Sequence, residues 1–195
     1  MKAIHQVQDT NTKHHVTFRT IDLNYSVARN GTVLKEYLEA QGREVIHNTN
    51  YHDYPAYNGS YDRSYTSVEN ELQANPDIDI ILDLHRDAVG DNTYAPKVKI
   101  GDEYAAQLMF VIGTNGGGLY HPNWTQNLSF AVKVVQKANE LYPGLFKPIM
   151  VRNSRYNQNL GKAASIIEVG ATGNTLEETM NSMKYLAKVL DEVLQ

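Results

Sequence analysis

The sequence predicts a three-layer α/β domain with a mainly parallel sheet. Short aliphatic runs alternate along the chain with amphipathic stretches at helical spacing, and the links between them are short. The aliphatic runs are apolar at almost every position, as in strands that helices cover on both faces. Strands of that kind are typical of parallel sheets, so these two observations predict the fold class.

The composition is that of a soluble globular chain and excludes several classes of protein. The 195 residues suit one domain over 1–195, with 42% hydrophobic and 21% charged residues. The net charge of −4 with interspersed signs does not indicate a nucleic-acid or anionic-membrane surface. No apolar stretch is long enough to span a bilayer. Because cysteine is absent, any transition metal would be held by His, Asp or Glu.

The predicted elements of the first half follow from periodicity and turn signals. Residues 1–20 are polar and aperiodic, which predicts a loop or ragged N-terminus. Apolar residues then recur at helical spacing until Gly42, and Pro76 limits the second helix. The predicted elements are a helix over 25–41, a strand over 43–47, a loop over 48–64, a helix over 64–74 and a strand over 79–82.

The second half continues the same alternation. The run AAQLMFVIG predicts a buried strand, and the glycine-rich loop TNGGGLYHPNW follows it. This loop lacks the Gly-Lys-Ser/Thr ending of a phosphate loop, so it predicts a turn and not a nucleotide site. The predicted elements are strands over 105–113, 146–152 and 164–170 and helices over 124–142 and 175–194.

Two polar side chains at strand ends are the candidate functional residues. His85 ends the run DIDIILDLH, and Glu168 lies at the end of the run ASIIE. Because ligands bind where the carboxyl ends of parallel strands gather, both side chains should reach one edge of the sheet. Asp83 points to the same side as His85 and is expected to orient its imidazole. A desolvated Glu168 would have a raised pKa, which suits a general base.

Each of these residues also has a purely structural interpretation. A histidine at a strand end is commonly a hydrogen-bonded structural residue. A glutamate at a strand end is commonly paired with a cation, and Arg86 and Arg155 are available partners. The spacing alone therefore leaves both interpretations open.

A family resemblance adds to the argument from spacing. Seven blocks occur in order from Phe18 to the C-terminus: RTIDLNYSVARNGTVLKEYLEAQG, HDYPAYNGSYDRS, DIDIILDLHRDA, HPNWTQNLSFA, LYPGLF, RYNQNL and IIEVGATGNTLEE. Together they resemble the stage II sporulation protein P family, peptidoglycan hydrolases of endospore-forming bacteria. That family is related to zinc-dependent N-acetylmuramoyl-L-alanine amidases.

The resemblance implies an amidase-type fold, a zinc cofactor, amidase activity with a possible endopeptidase activity, and peptidoglycan as the substrate. It implies that His85 is a zinc ligand and Glu168 the general base. It further implies a sporulation lytic transglycosylase as partner and an extracytoplasmic location at the septal membrane during engulfment. The family's N-terminal membrane anchor is not found in this chain, which fits a trimmed soluble form.

The chain departs from the family pattern at its first histidine motif. The family has a strand ending in a motif of the form H-T-H-x-x-E, and the nearest match here is His5 with Gln8 in IHQVQ. Either His5 is a second zinc ligand in degenerate form or the first strand is missing. We favour the missing strand, because a central strand needs several consecutive apolar residues.

The sequence and its family resemblance therefore predict a zinc-dependent peptidoglycan amidase. Its predicted catalytic residue is Glu168, its metal ligands are His85 and His5, and Asp83 and Arg86 support them. A non-catalytic wall-binding or partner-docking domain on the same fold is the alternative, and the missing ligand favours it. A flavodoxin-like ligand-binding domain is disfavoured because no phosphate-cradling loop is present. The predicted substrate-binding residues are Tyr54, Tyr57, Tyr61, Arg63, His121, Trp124, Arg155 and Asn157.

Overall fold

A five-stranded sheet carries helices on both of its faces. The computed structural model describes residues 3–4, 22–52 and 58–195. The strands are β1 (Ala3–Ile4), β2 (Ile80–Asp87), β3 (Lys97–Ile100), β4 (Glu103–Ala106), β5 (Leu108–Gly113), β6 (Met150–Arg152) and β7 (Ala164–Ala171). The helices are α1 (Val27–Ala40), α2 (Ser60–Ala74), α3 (Trp124–Leu141) and α4 (Leu176–Val193).

The strand order of the main sheet is β1-β2-β7-β5-β6. Three of its neighbouring pairs are parallel, namely β1 with β2, β2 with β7 and β5 with β6. Strands β5 and β7 are antiparallel, so the sheet has two halves that run in opposite directions. The predicted fold class, an α/β domain with a mainly parallel sheet, is confirmed.

The main hydrophobic core lies on the face of the sheet that α1, α3 and α4 cover. Alternate residues of the central strands point to this side, among them Leu84, Phe110 and Ile167, each fully buried. Phe110 stacks on Phe146 with ring centroids 5.2 Å apart. Burial of these large apolar side chains is the main source of stability for the sheet.

The opposite face of the sheet is covered less completely. Val68 of α2 packs there against Ile81 and Ala164 in a small cluster. A second small cluster joins Met109, Val111 and Ile166, with Tyr156 packed against it. The face therefore keeps room for polar side chains near the end of β2 and β7.

The four predicted helices are confirmed, with small changes at their ends. Helix α1 begins after Ser26, whose hydroxyl accepts a hydrogen bond from the Ala28 amide. Helix α2 begins four residues earlier than the predicted Ser64, because Gly59 adopts a left-handed conformation (φ 81°) just before it. Helix α4 begins with a capping box between Thr175 and Glu178.

Two of the predicted strands are corrected. Residues 43–47 form no strand: the Val45 carbonyl accepts a hydrogen bond from the Lys35 ammonium, and Arg43 pairs with Asp191 at 2.7 Å. These side-chain contacts take the place of a strand partner. The predicted strand over 105–113 is divided at Gln107, whose amide donates to the Pro96 carbonyl. Its first residues belong to β4, which forms a separate antiparallel hairpin with β3.

The N-terminal prediction is wrong for two residues. Ala3 and Ile4 form β1 and pair in parallel with Ile80 and Ile81 of β2, where we predict a loop over 1–20. This short strand occupies the edge of the sheet next to β2, and the preference for a missing first strand stays a prediction. Among the described residues, none of the helices combines the length and the apolar character that crossing a bilayer requires.

Candidate active site

His85 and Glu168 lie side by side on neighbouring strands. They are direct register partners in the parallel pair of β2 and β7, so both side chains leave the same face of the sheet. The His85 side chain is 12% exposed, and the Oε2 atom of Glu168 is buried. The structure thus brings together the two residues that the sequence singles out.

Asp83 contacts the imidazole of His85. The two residues are two positions apart on β2, and Asp83 Oδ1 lies 3.0 Å from His85 Nε2. Both side chains are largely buried. A carboxylate this close to one ring nitrogen helps to fix the orientation of the ring.

The environment of Glu168 raises the pKa of its carboxyl group to about 7. Burial is the main cause, since a desolvated carboxylate is disfavoured, and Met109 on β5 is its register partner on the other side. His85 and Lys147 oppose this rise, whereas Asp83 and Asp87 reinforce it by repulsion. A carboxyl group with this pKa takes up and releases protons near neutral pH.

Asp87 and Lys147 complete the charged surroundings of Glu168, and the sequence analysis missed both. Their side chains form an ion pair of 3.4 Å between Asp87 Oδ2 and Lys147 Nζ, each about one-fifth exposed or less. Asp87 continues the alternation of Asp83 and His85 along β2, so this pattern could have identified it. Lys147 comes from the segment before β6, and its sequence carries no comparable signal.

Arg86 points to the turn that follows β7. Its Nη2 atom donates to the carbonyl oxygen of Ala171 at 3.1 Å and also contacts the carbonyl oxygen of Asn174. These bonds attach the end of β2 to the beginning of α4. The predicted supporting role of Arg86 beside His85 stays a prediction.

A groove of about 410 Å³ lies on the same side of the molecule as the small apolar clusters. Tyr156 belongs both to the groove lining and to the cluster that contains Met109, the neighbour of Glu168. The groove and the His85 and Glu168 pair therefore lie on the same face of the sheet, and neither His85 nor Glu168 lines the groove. The lining residues are Tyr61, Asp62, Gly117, Leu119, Asn153, Ser154, Arg155, Tyr156 and Asn157.

Three of the predicted substrate-binding residues, Tyr61, Arg155 and Asn157, line this groove. Arg63 instead donates to the His52 carbonyl at 2.6 Å, outside the groove lining.

Two other predicted substrate-binding residues come shortly after Leu119, a residue of the groove lining. His121 is 2% exposed, and Trp124 is a partly buried residue at the start of α3. Neither residue lines the groove, and their substrate-binding role stays a prediction. The remaining predicted residues, His5, Tyr54 and Tyr57, lie outside the described residues.

The described residues fit a zinc site only in part. His85 and the unbonded Oε2 of Glu168 are adjacent donors. Catalytic zinc usually has three protein ligands and an open position. Within 3–4, 22–52 and 58–195, no group of three or more His, Asp or Glu residues is arranged to hold a metal ion.

Solved structures share this fold. The chain matches the catalytic domain of the CD27L endolysin targeting Clostridia Difficile with a TM-score of 0.57 and 15% identity, over 100% of this chain and 96% of that one. It matches the CwlD amidase of Clostridioides difficile with a TM-score of 0.58 and 13% identity, over 100% and 96%.

The catalytic domain of CwlV, an N-acetylmuramoyl-L-alanine amidase from Bacillus (Paenibacillus) polymyxa var. colistinus, gives a TM-score of 0.54. Its identity is 11%, over 99% of this chain and 95% of that one. The protein therefore has the fold of the N-acetylmuramoyl-L-alanine amidases.

The sequence comparisons define the family within that fold. A model of the family "Stage II sporulation protein P (SpoIIP)" matches residues 8–191. The stage II sporulation protein P of Bacillus subtilis (strain 168) is 30% identical over 142 residues, which are 70% of this chain. The chain belongs to the stage II sporulation protein P family, and it spans 34% of the length of that curated relative.

Proposed function

We propose that this protein is a peptidoglycan hydrolase that cleaves the amide bond between N-acetylmuramic acid and L-alanine during sporulation. The observation that carries the proposal is Glu168, whose pKa of about 7 and position beside His85 suit proton transfer. The amidase fold and the family membership support the choice of reaction.

Glu168 acts in this proposal as the general base and then as the general acid. Its carboxylate takes a proton from a water molecule as the water oxygen bonds to the amide carbonyl carbon. The protonated Glu168 then gives the proton to the amide nitrogen, and the carbon–nitrogen bond breaks. The products are the lactyl carboxylic acid of the sugar and the free amino group of L-alanine.

We propose zinc as the cofactor, with His85 and His5 as its ligands. Bound zinc supplies a Lewis acid that lowers the pKa of water and polarises a carbonyl group. Within the chain, Asp83 holds the imidazole of His85 in place through the 3.0 Å contact. Burial of Asp83 and His85 keeps this orientation fixed.

Further parts of the proposal rest on the family alone. They are a second, endopeptidase activity on the stem peptide, a sporulation lytic transglycosylase as partner, and action at the extracytoplasmic face of the septal membrane. Membership of the stage II sporulation protein P family supports each of them.

The test measures zinc binding and the release of stem peptides from purified cell-wall sacculi. We expect one zinc ion per chain and free L-alanine amino groups that increase with time. Because Glu168 must be deprotonated to act as a base, the rate should rise as the pH increases through the range in which its carboxyl group loses its proton. The Glu168→Gln variant should lose at least about a hundredfold in rate.

Glu69→Gln is the matched control, since Glu69 is exposed on α2 and the same charge is removed. This variant should cleave at the wild-type rate. Equal activity of the Glu168→Gln variant would contradict the proposed role of Glu168.

A non-catalytic wall-binding domain is the second candidate. The partial metal-ligand set of the described residues favours it. Binding of the chain to sacculi without zinc uptake or peptide release would establish that candidate and reject the hydrolase.

A further inference from the structure

Arg155 lines the groove and contacts a backbone carbonyl oxygen there. Its Nη1 atom donates to the Tyr120 carbonyl oxygen at 3.4 Å. Among the described residues, none of the carboxylates forms an ion pair with it, although Asp62 lines the same groove. A partly buried guanidinium with free donors is suited to bind an anionic group of a ligand.

The backbone after Arg155 is held in an unfavourable conformation. Tyr156 and Asn157 have positive φ angles of 51° and 60°, which are rare for residues with a side chain. The Asn157 amide keeps this turn in place, donating to the Tyr61 carbonyl at 2.7 Å and to the Ser64 hydroxyl at 2.9 Å. Backbone strain of this kind is concentrated at ligand sites, where the surrounding structure maintains it.

Strand β5 also holds the segment that contains Arg155 in place. A side chain at Gly113 would overlap the carbonyl oxygen of Ser154, so glycine allows the two backbones to touch. Gln158 links the segments further: its Oε1 accepts from the Gly113 amide and its Nε2 donates to the Val111 carbonyl, both at 2.8 Å. The backbone that carries Arg155 is therefore held in one conformation, which lowers the entropy cost of binding a ligand.

His121 is a titratable neighbour of Arg155 and supplies no negative charge. His121 is buried, and first burial and then the nearby Arg155 lower the pKa of its imidazole. The lowered pKa disfavours a positive charge on this imidazole. The charge of Arg155 faces a groove whose other walls include the apolar or aromatic side chains of Leu119, Tyr61 and Tyr156.

We infer that this groove binds a peptide and that Arg155 recognises a free carboxylate of that peptide. The inference rests on the proposed function and specifies it: the stem peptide would be selected by its ionised carboxyl group. The aromatic and apolar walls suit a peptide chain, and the planar guanidinium forms two parallel hydrogen bonds with a carboxylate. Arg155 would thus determine specificity.

Titration calorimetry with two synthetic peptides tests the inference. The probes are the tetrapeptide L-Ala-γ-D-Glu-L-Lys-D-Ala and the same peptide with both carboxyl groups converted to amides. The chain carries Glu168→Gln so that no cleavage occurs. We expect the peptide with free carboxylates to bind about tenfold tighter or more, as the loss of one charge-assisted pair predicts.

Arg155→Gln should remove this preference and leave binding of the amidated peptide unchanged. The matched control is Arg152→Gln, because Arg152 is exposed at the end of β6, outside the groove lining, and carries the same charge. This control should keep the preference. The inference is overturned if the unsubstituted groove shows no preference, if Arg155→Gln keeps it, or if Arg152→Gln loses it equally.

The outcome is separate from that of the proposed function. A preference for the carboxylate that depends on Arg155 would stand even if sacculi were not cleaved. Cleavage of sacculi without such a preference would leave the hydrolase intact and reject the carboxylate site.

Discussion

The carboxyl group of Glu168 lies between His85 on one neighbouring strand and Met109 on the other. The folded chain keeps this group largely away from water, and its pKa rises to about 7. An ordinary glutamate in an unfolded chain ionises near 4.5. The fold therefore disfavours the ionised form of this residue and moves the pKa of its carboxyl group close to neutral pH.

This difference in pKa predicts how stability depends on pH. Between about 4.5 and about 7 the folded chain retains a proton on Glu168 that the unfolded chain has lost, so the free energy of unfolding falls as the pH rises. The contribution is fully present below about 4.5 and is lost as the pH passes about 7. In metal-free protein, Glu168→Gln should raise the free energy of unfolding at pH 8 by roughly 2–3 kcal/mol relative to its effect at pH 4.

Urea denaturation at the two pH values measures this change. The Glu69→Gln variant, which alters an exposed carboxyl group on α2, should show no comparable pH-dependent gain. A Glu168→Gln effect that is equal at pH 4 and pH 8 would show that folding does not raise the pKa of the Glu168 carboxyl group.

At the scale of elements, the first turn of α4 joins several parts of the molecule. The Thr175 hydroxyl accepts from the Glu178 amide at 3.1 Å, and Glu178 Oε2 accepts in return from the Thr175 amide at 3.1 Å. Glu178 also pairs with Lys97 of the β3–β4 hairpin at 2.7 Å and accepts from Asn174 at 2.9 Å. The capping box thus holds the hairpin and the end of β7 to a helix that fills much of the main core.

Loss of this cap should therefore weaken the whole fold. Thr175→Ala removes the acceptor for the Glu178 amide and should lower the free energy of unfolding by about 1 kcal/mol. Ser129→Ala, on the exposed side of α3, removes an equivalent hydroxyl without a capping bond and should stay within about 0.5 kcal/mol. Chemical denaturation measures both, and equal effects would show that the capping box adds nothing.

Local patterns predicted those elements whose signals lie within one segment. The helices carry apolar spacing, α1 and α4 also have side-chain caps, and the run before His85 is apolar enough to define β2. The hairpin of β3 and β4 was not predicted, because its two strands, KVKI and EYAA, are short and only partly buried. The segment 43–47 has strand-like residues, yet side-chain contacts from α1 and α4 replace the pairing.

The residues of the candidate site were predictable where a pattern within a single strand marked them. Asp83 and His85 follow from the period of two along β2, and Glu168 from its unusual position in an apolar run. The groove was only partly predictable, because Tyr156 and Asp62 meet through the packing of a loop on α2. Lys147 reaches Asp87 across 60 positions of sequence, a contact that depends on the antiparallel seam between β5 and β7.

At the scale of the whole molecule, the candidate site lies beside the seam where the two halves of the sheet meet. Strand β7 has partners on both sides, β2 in parallel and β5 antiparallel, and it carries Glu168. The groove is built instead from two loops, one after β5 and one after β6, and from the first turn of α2. The candidate catalytic residues thus lie on paired strands of the sheet, and the groove-lining residues lie on loops and on a helix.

This arrangement predicts a gradient of local stability that amide hydrogen exchange can measure. The amides of Ile166 and Ile167 lie in the doubly paired, buried β7 and should exchange only when the whole domain unfolds. The β3–β4 hairpin forms a separate two-stranded sheet, so its amides should exchange through local opening, at least about a hundredfold faster. Small additions of urea should accelerate exchange in β7 steeply and in the hairpin little. Similar rates and urea dependence in both would contradict the gradient and would place Glu168 on an element that opens by itself.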